Sequence, residues 1–295
     1  MKAWTIAELL KVSADYLKQK GIDSPRLSAE ILLAHQLHLT RVQLYLHYDQ
    51  PLTDQEVEGY RALVRRRLSR EPLQYITGLQ EFWSMTFMVN PSVLIPRPET
   101  EVLLEQAGLL REGNPDLQEE GVNLLDLGTG CGALAVALAR DFEKARIYAT
   151  DLSEAALQVA RRNAEKLGVK DRIEFRCGDW FASFAGDSIR FHLILCNPPY
   201  ISREAMETLS PEVRNHEPRS ALDGREQGMQ DITRILKEAA GHLVPGGWIL
   251  MEMDPEQTPK AIRIIEETGQ FSEHRRIKDY SHRYRMVMAR KKPAD

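Results

Sequence analysis

The chain has 295 residues, 43% hydrophobic and 28% charged, so it can build an ordinary core and is neither disordered nor fibrous. At about 150 residues per domain, two domains are expected. With 39 Lys and Arg against 43 Asp and Glu, the net charge is −4, which argues against sequence-independent nucleic-acid binding, where phosphate neutralisation supplies the affinity. Cys131, Cys177 and Cys196 form no CxxC pair and no Cys/His metal spacing, so no metal is expected and the thiols fit a reducing compartment. The N-terminal MKAWTIAELLKVSADYLKQ has no long apolar run, and no stretch has the length of a membrane span. A cytoplasmic protein without signal peptide is expected.

The first seventy residues predict helices alone. Thr5 and Glu8 have capping-box spacing with Trp4 and Leu9 as a hydrophobic staple, and Gly21 is placed as the C′ residue. Ser24-Pro25 predicts an N-cap and an N1 proline, with Leu27, Ile31 and Leu32 as the apolar stripe. A short helix is expected after Thr40, and Thr53 with Glu56 caps another that runs through Tyr60, Leu63, Val64 and Leu68. Arg65-Arg66-Arg67 is read as the solvated face of that last helix, near its C-terminus. We place a helical bundle at 1–71, a hairpin connector at 72–98 built on Phe82, Trp83, Phe87, Val89 and Val93–Ile95, and a larger domain at 99–295.

That larger domain alternates strand and helix. Strands are expected at Val122–Leu127, Arg146–Thr150, Arg172–Arg176, His192–Cys196 and Trp248–Met253, with helices at 99–110, 133–141, 153–167, 227–243 and 256–268 and a polar loop at 112–121. Apolar strands between helices predict a parallel, doubly wound α/β sheet, and RRIKDYSHRYRMVMARK adds an antiparallel strand pair at one edge.

Three segments carry chemistry. The first is Gly128-Thr129-Gly130-Cys131-Gly132, which joins strand to helix; glycines let a ligand approach the backbone, and Gly128, Gly130 and Ala133 also satisfy the dinucleotide pattern. Asp151, at the end of the next strand, is placed to accept both hydroxyls of a ribose, or to cap the helix at 153. Asp179-Trp180 follows the third strand, where the Asp is placed to bond an adenine amino group and the Trp to pack on its ring or in the core. The decisive segment is Asn197-Pro198-Pro199-Tyr200 at the end of a buried strand. The prolines hold it extended, so the Asn197 side-chain oxygen and the Pro198 carbonyl form two acceptors for a planar NH2, with Tyr200 as an aromatic wall.

Together DLGTGCG, Asp151 and NPPY resemble class I S-adenosylmethionine-dependent methyltransferases that act on planar amino groups. PLQYITG, VLIPRPETE, NPPY and EPRSALDG, in that order, resemble one family among them, the N5-glutamine methyltransferases of peptide chain release factors. The resemblance implies a class I methyltransferase sheet with a helical N-terminal domain that recognises the substrate. It implies S-adenosylmethionine held by Gly128, Thr129, Gly130, Cys131, Gly132, Asp151, Asp179, Trp180 and Asn197. The substrate would be the glutamine of the Gly-Gly-Gln motif of class 1 release factors, held by Asn197, Pro198, Pro199 and Tyr200. Arg97, Glu99 and Thr100 of PRPETE either contact the cofactor or brace the connector. Asp254-Pro255 stands where the family has a Gly-Tyr-like pair, and Cys131 where Thr or Ser is common. Methylation of a nucleic-acid base would use the same pocket, but the charge and PRPETE disfavour it. A nicotinamide-dependent dehydrogenase leaves NPPY without a role, and a non-catalytic module would bind cofactor without turnover.

Overall fold

The computed structural model describes residues 4–294; Met1–Ala3 and Asp295, the outer ends of the first and last expected domains, lie outside the described residues. The chain begins with α1 (Ile6–Gln19), α2 (Pro25–Leu37), α3 (Arg41–Leu46), α4 (Asp54–Leu68) and α5 (Leu73–Thr77). A hairpin, β1 (Leu79–Phe82) and β2 (Met85–Met88), leads to α6 (Glu101–Gly113). Alternation follows: β3 (Asn123–Leu127), α7 (Ala133–Asp141), β4 (Arg146–Asp151), α8 (Glu154–Lys166), β5 (Ile173–Cys177) and β6 (Phe191–Cys196). The chain then forms α9 (Arg203–Met206), α10 (Pro211–His216), α11 (Gln230–His242), β7 (Leu243–Glu252), α12 (Thr258–Thr268), β8 (Phe271–Lys278) and β9 (Tyr284–Lys291).

One compact unit runs to Leu79 and takes in Ser210–His216. The capping boxes expected at Thr5–Glu8 and Thr53–Glu56 are both complete, and the short helix expected after Thr40 also opens on one, Thr40–Gln43. Leu9, Leu17, Leu32, Leu33, Leu44, Val57 and Tyr60 fill the core. Three details differ from the sequence reading. Ser24 is left-handed and its side chain caps nothing, so Pro25 alone opens α2. Leu27 is exposed, because the buried stripe of α2 runs through Ala29, Leu32 and Leu33. Arg67 is buried rather than solvated: it shares the inner face of α4 with Tyr60 and Val64, and its guanidinium meets Glu212 at 3.0 Å. Arg65 and Arg66 stay on the outside, paired with Glu58 and Glu71.

The second unit comprises Gln80–Leu209 and Glu217 onward. Its seven-stranded sheet has the order β5-β4-β3-β6-β7-β9-β8, parallel from β5 to β7. The last strand does not end the sheet. β9, with Met286 to Ala289 buried, inserts antiparallel to β7, and the charged β8 takes the exposed edge. The sequence reading expects Trp83 and Val93–Ile95 in strands. Trp83 and Ser84 instead form the hairpin turn, both at positive φ, and Val93–Ile95 is irregular.

This hairpin is bound into the second unit rather than standing apart as a connector. The Trp83 backbone N–H donates to Glu101 (2.8 Å) and its indole to Asp141 (3.0 Å). Asn163 of α8, fully buried, accepts from the Met88 N–H at 2.7 Å and donates to the carbonyls of Met88 (2.9 Å) and Cys131 (2.8 Å). One amide thus ties β2 to the glycine turn. Asn163→Ala removes the partner of three backbone groups, one fully and two partly buried, and is expected to lower unfolding free energy by about 2–4 kcal/mol in urea titration. A change below about 0.5 kcal/mol would show the clamp to be dispensable.

Candidate active site

The parallel register assembles the site. Leu127 pairs with Thr150 on one side and with Cys196 on the other, and Cys196 pairs with Met251. Gly128, Asp151, Asn197 and Glu252, each one residue beyond that row, therefore stand side by side at the carboxyl end of the sheet. They do so where the strand order reverses, between β3 and β6, at the carboxyl ends of the strands where open α/β sheets bind ligands.

Gly128, Gly130 and Gly132 take φ of 85°, 55° and 86°, which the tight turn requires. The N–H groups of Gly128 and Thr129 both bond the Thr150 carbonyl. Thr129 donates its hydroxyl to Asp126 Oδ2 (2.6 Å), which also accepts from the Ala135 N–H (3.0 Å). Asp126 is fully buried, and burial pushes its carboxyl up to about 7 against those two hydrogen bonds. Asp151 accepts the Gly130 N–H on Oδ2 and the Ser153 N–H on Oδ1, both at 2.9 Å. Burial raises its pKa. It does not cap α8; Ser153 does. Cys131 is buried, its thiol pushed up to about 12 by desolvation, so it serves as a small filler.

Trp180 stands over the turn. A Cβ on Gly128 would lie 3.2 Å from its ring, while its indole N–H bonds Asp231 (3.1 Å) and its ring packs on the core of the unit. Asp179 is half exposed and paired with Arg234 at 2.6 Å. The residues of this corner fit an adenosyl amino acid: Asp126 Oδ1 is buried with no partner, and a Cβ on Gly130 would meet nothing within 4 Å. An unpaired carboxylate oxygen suits an ammonium, and a side-chain-free turn beside Asp151 suits a ribose.

The other half of the site is a hydrogen-bond chain. Asn197 Nδ2 donates to Thr100 Oγ1 (3.1 Å), Thr100 donates to Glu252 Oε2 (2.7 Å), and the Tyr200 hydroxyl donates to Glu252 Oε1 (3.1 Å). Glu252 is fully buried; desolvation raises its pKa, opposed by the two hydroxyls and the charge of Arg285. Tyr200 is raised as well, first by burial and then by Glu252. Thr100 of PRPETE is therefore part of the site, whereas Arg97 pairs with Glu217 at 2.5 Å and that carboxylate also accepts the Ile95 N–H. Sequence reasoning missed Glu252 and Asp126. The usable signal is an acidic residue in an apolar strand: Glu252 ends β7 level with Asn197, and Asp126 interrupts β3 two residues earlier in the register.

The Pro199-Tyr200 backbone is held just as firmly. Ile201 bridges to Asp223, and a Cβ on Gly228 would lie 2.1 Å from the Tyr200 carbonyl oxygen. Gln257 donates to that oxygen (2.8 Å) and to the Gly228 carbonyl (3.2 Å). The Asp254 N–H in turn bonds Gln257 Oε1 (3.0 Å), so the Asp254-Pro255 turn orients the glutamine without the Gly-Tyr pair. Among the described residues, no cluster of His, Cys, Asp and Glu has the composition of a metal site.

Residues 8–78 match the PrmC N-terminal domain and residues 118–276 a methyltransferase domain. The chain is 42% identical to the release factor glutamine methyltransferase of Geobacter sulfurreducens over 266 residues, 90% of each chain. It is 39% identical to that of Chlorobaculum tepidum over 282 residues, 95% of each. Among solved structures, a methyltransferase from Pyrococcus furiosus superposes with a TM-score of 0.50 at 19% identity, over 81% of this chain and 99% of that one. The hMettl16 catalytic domain in complex with MAT2A 3'UTR hairpin 1 gives 0.57 at 15%, over 82% of each. These two likenesses show the class I methyltransferase fold. From its sequence identity across nine-tenths of its length, the chain belongs to the release factor glutamine methyltransferase family.

Proposed function

We propose that this protein methylates the side-chain amide nitrogen of the glutamine in the Gly-Gly-Gln motif of class 1 release factors, using S-adenosylmethionine. The observation that supports it best is the commitment of the Asn197 NH2 to Thr100, which leaves Asn197 Oδ1 as an acceptor; we assign the second acceptor to the carbonyl of the following residue, Pro198. Two fixed acceptors match the two N–H bonds of a primary amide. S-adenosylmethionine supplies a methyl carbon made electrophilic by its sulfonium. We assign its amino-acid end to Asp126 and the glycine turn Gly128 to Gly132, its ribose to Asp151, and its adenine to Trp180 and Asp179. Tyr200, Pro199 and Pro198 wall the substrate amide.

An amide nitrogen is a poor nucleophile because its lone pair is delocalised into the carbonyl. Acceptors on both N–H bonds return electron density to nitrogen, and they bind more strongly as it becomes positive, which lowers the barrier. Orientation supplies the rest of the acceleration. Mass spectrometry of a release factor after incubation with enzyme and cofactor is expected to show one added methyl group on the Gly-Gly-Gln glutamine, with none on DNA or ribosomal RNA. Asn197→Ala should slow single-turnover transfer by about 10²–10³. Equal rates would overturn the assignment.

Asp126 makes cofactor binding depend on pH. In the folded chain its pKa is raised from 3.8 to about 7, so the unliganded protein keeps a proton that the unfolded chain has released, and stability falls as pH rises through that window. A cationic amino group selects the ionised form. Affinity for S-adenosylmethionine measured by calorimetry is expected to rise from roughly pH 6 to 8, with protons released on binding. Asp126→Asn should remove both the slope and the proton release; an unchanged slope would take Asp126 out of the site.

The N-terminal unit is assigned to the grip on the protein substrate. Val42, Tyr45 and Leu46 leave an exposed apolar face on α3 beside Arg26 and Arg41, at spacing that puts them on one side of the helix. Val42→Asp with Leu46→Asp should raise KM for intact release factor about tenfold or more and leave cofactor affinity unchanged. Unchanged KM would place the grip elsewhere. No helix among the described residues is long and apolar enough to cross a membrane. Release factors work in the cytoplasm, and that is where we place the enzyme.

A further inference from the structure

Resting on the amide-methylation reading above, we propose that Glu252 is a positioning residue that sets, through Thr100, which end of the Asn197 side chain faces the substrate. An asparagine amide has nearly the same shape either way round, and only its hydrogen-bond partners decide between oxygen and nitrogen. Turned one way, Asn197 offers an acceptor to the substrate NH2; turned the other, it offers two N–H donors and repels it.

The polarity of the chain is set from its buried end. Glu252 is acceptor-only when ionised, and it takes a hydroxyl on each oxygen: Thr100 at 2.7 Å and Tyr200 at 3.1 Å. Thr100 has a single proton, and Glu252 holds it. Thr100 Oγ1 can then only accept from Asn197, and it does so from Nδ2 at 3.1 Å. Oδ1 is left as the outward atom. A carboxylate that touches no substrate thereby fixes the sense of a group that does. Its second oxygen fixes the Tyr200 hydroxyl, so both ends of the Asn-Pro-Pro-Tyr segment are referred to the same carboxylate. The three partners come from widely separated places in the chain, the end of β7, the PRPETE turn and the end of β6, and the parallel register brings the two strand ends level.

Thr100 and the chain's polarity can be tested separately. Thr100→Val keeps the shape and removes the relay; single-turnover methylation of release factor is expected to fall about 10²-fold with cofactor affinity within about threefold of the parent. Thr100→Ser keeps the hydroxyl and should stay within about tenfold of the parent rate. The sharper test reverses the relay. In Asn197→Asp the new carboxylate has no proton for Thr100, and the Thr100 proton is already held by Glu252. Adding Glu252→Gln lets the Gln NH2 donate to Thr100, which then donates to the new carboxylate and leaves that group's other oxygen as an acceptor. The double variant should therefore be about tenfold faster than Asn197→Asp alone, whereas a merely structural Glu252 predicts a slower one. If Thr100→Val loses cofactor binding through misfolding, the double variant still decides. Equal rates for Thr100→Val and Thr100→Ser, or a double variant slower than Asn197→Asp, would overturn the relay. An unsubstituted protein that methylates no release factor would instead overturn the function on which it rests.

Discussion

Glu252 carries a carboxylate to the end of a strand whose preceding residues, Trp248 to Met251, are buried and apolar. A buried charge left without partners is among the costliest features a core can hold, so the surroundings of this one are constrained. They have to bring donors to both oxygens, and the two hydroxyls that do so belong to Thr100 and Tyr200. Satisfying the carboxylate and building the substrate side of the site are therefore one structural task. On the other side of the switch point Asp126 draws the Thr129 hydroxyl and the Ala135 N–H to a single oxygen, Oδ2, and so defines the start of α7 and the path of the glycine turn.

Around these carboxylates the backbone is fixed by close approach rather than by many side chains. Gly228 sits so near the Tyr200 carbonyl that no side chain fits, and Gln257 spans the two loops from behind. On the cofactor side Asn163 does the equivalent, joining β2, the glycine turn and α8 through one amide. The two elements that connect α/β cores do not usually need, a hairpin before the sheet and an excursion after β6, are thus each tied to a loop that lines the site. Precise placement matters here because the reaction has no strong nucleophile to compensate for poor geometry.

Much of this was legible in the sequence. Capping boxes at Thr5 and Thr53 are local patterns, and each opens a helix where it stands, as does Thr40, where the sequence gives only a helix start. Buried parallel strands are continuous apolar runs, so β3, β4 and β6 stand out, and the glycine turn and Asn197 sit at their ends. What was not legible depends on distance along the chain. Thr100 and Glu252 are separated by 152 positions, and nothing around either residue announces the other. Arg67 reads as one of three surface arginines until Glu212 arrives from the far side of the sequence. The insertion of β9 between β7 and β8 follows from which strand is the more apolar, a comparison that local pattern makes only once both are known to share a sheet.

The residue at the reacting end of the chain is asparagine, and the buried end explains why. An acceptor for the substrate amide can be supplied by a carboxylate or by an amide oxygen, and taken alone the carboxylate is the stronger. But Thr100 spends its proton on Glu252, so its oxygen needs a donor from the neighbouring side chain. A carboxylate at position 197 has none to give when ionised, and it would place a second negative charge close to a first. An amide meets both demands, giving an N–H inward and an oxygen outward. On the substrate side the buried charge, Glu252, lies behind the neutral side chains of Thr100 and Tyr200. What faces the substrate amide is a pair of neutral acceptors, and Glu252 sets the direction of the Asn197 oxygen through Thr100.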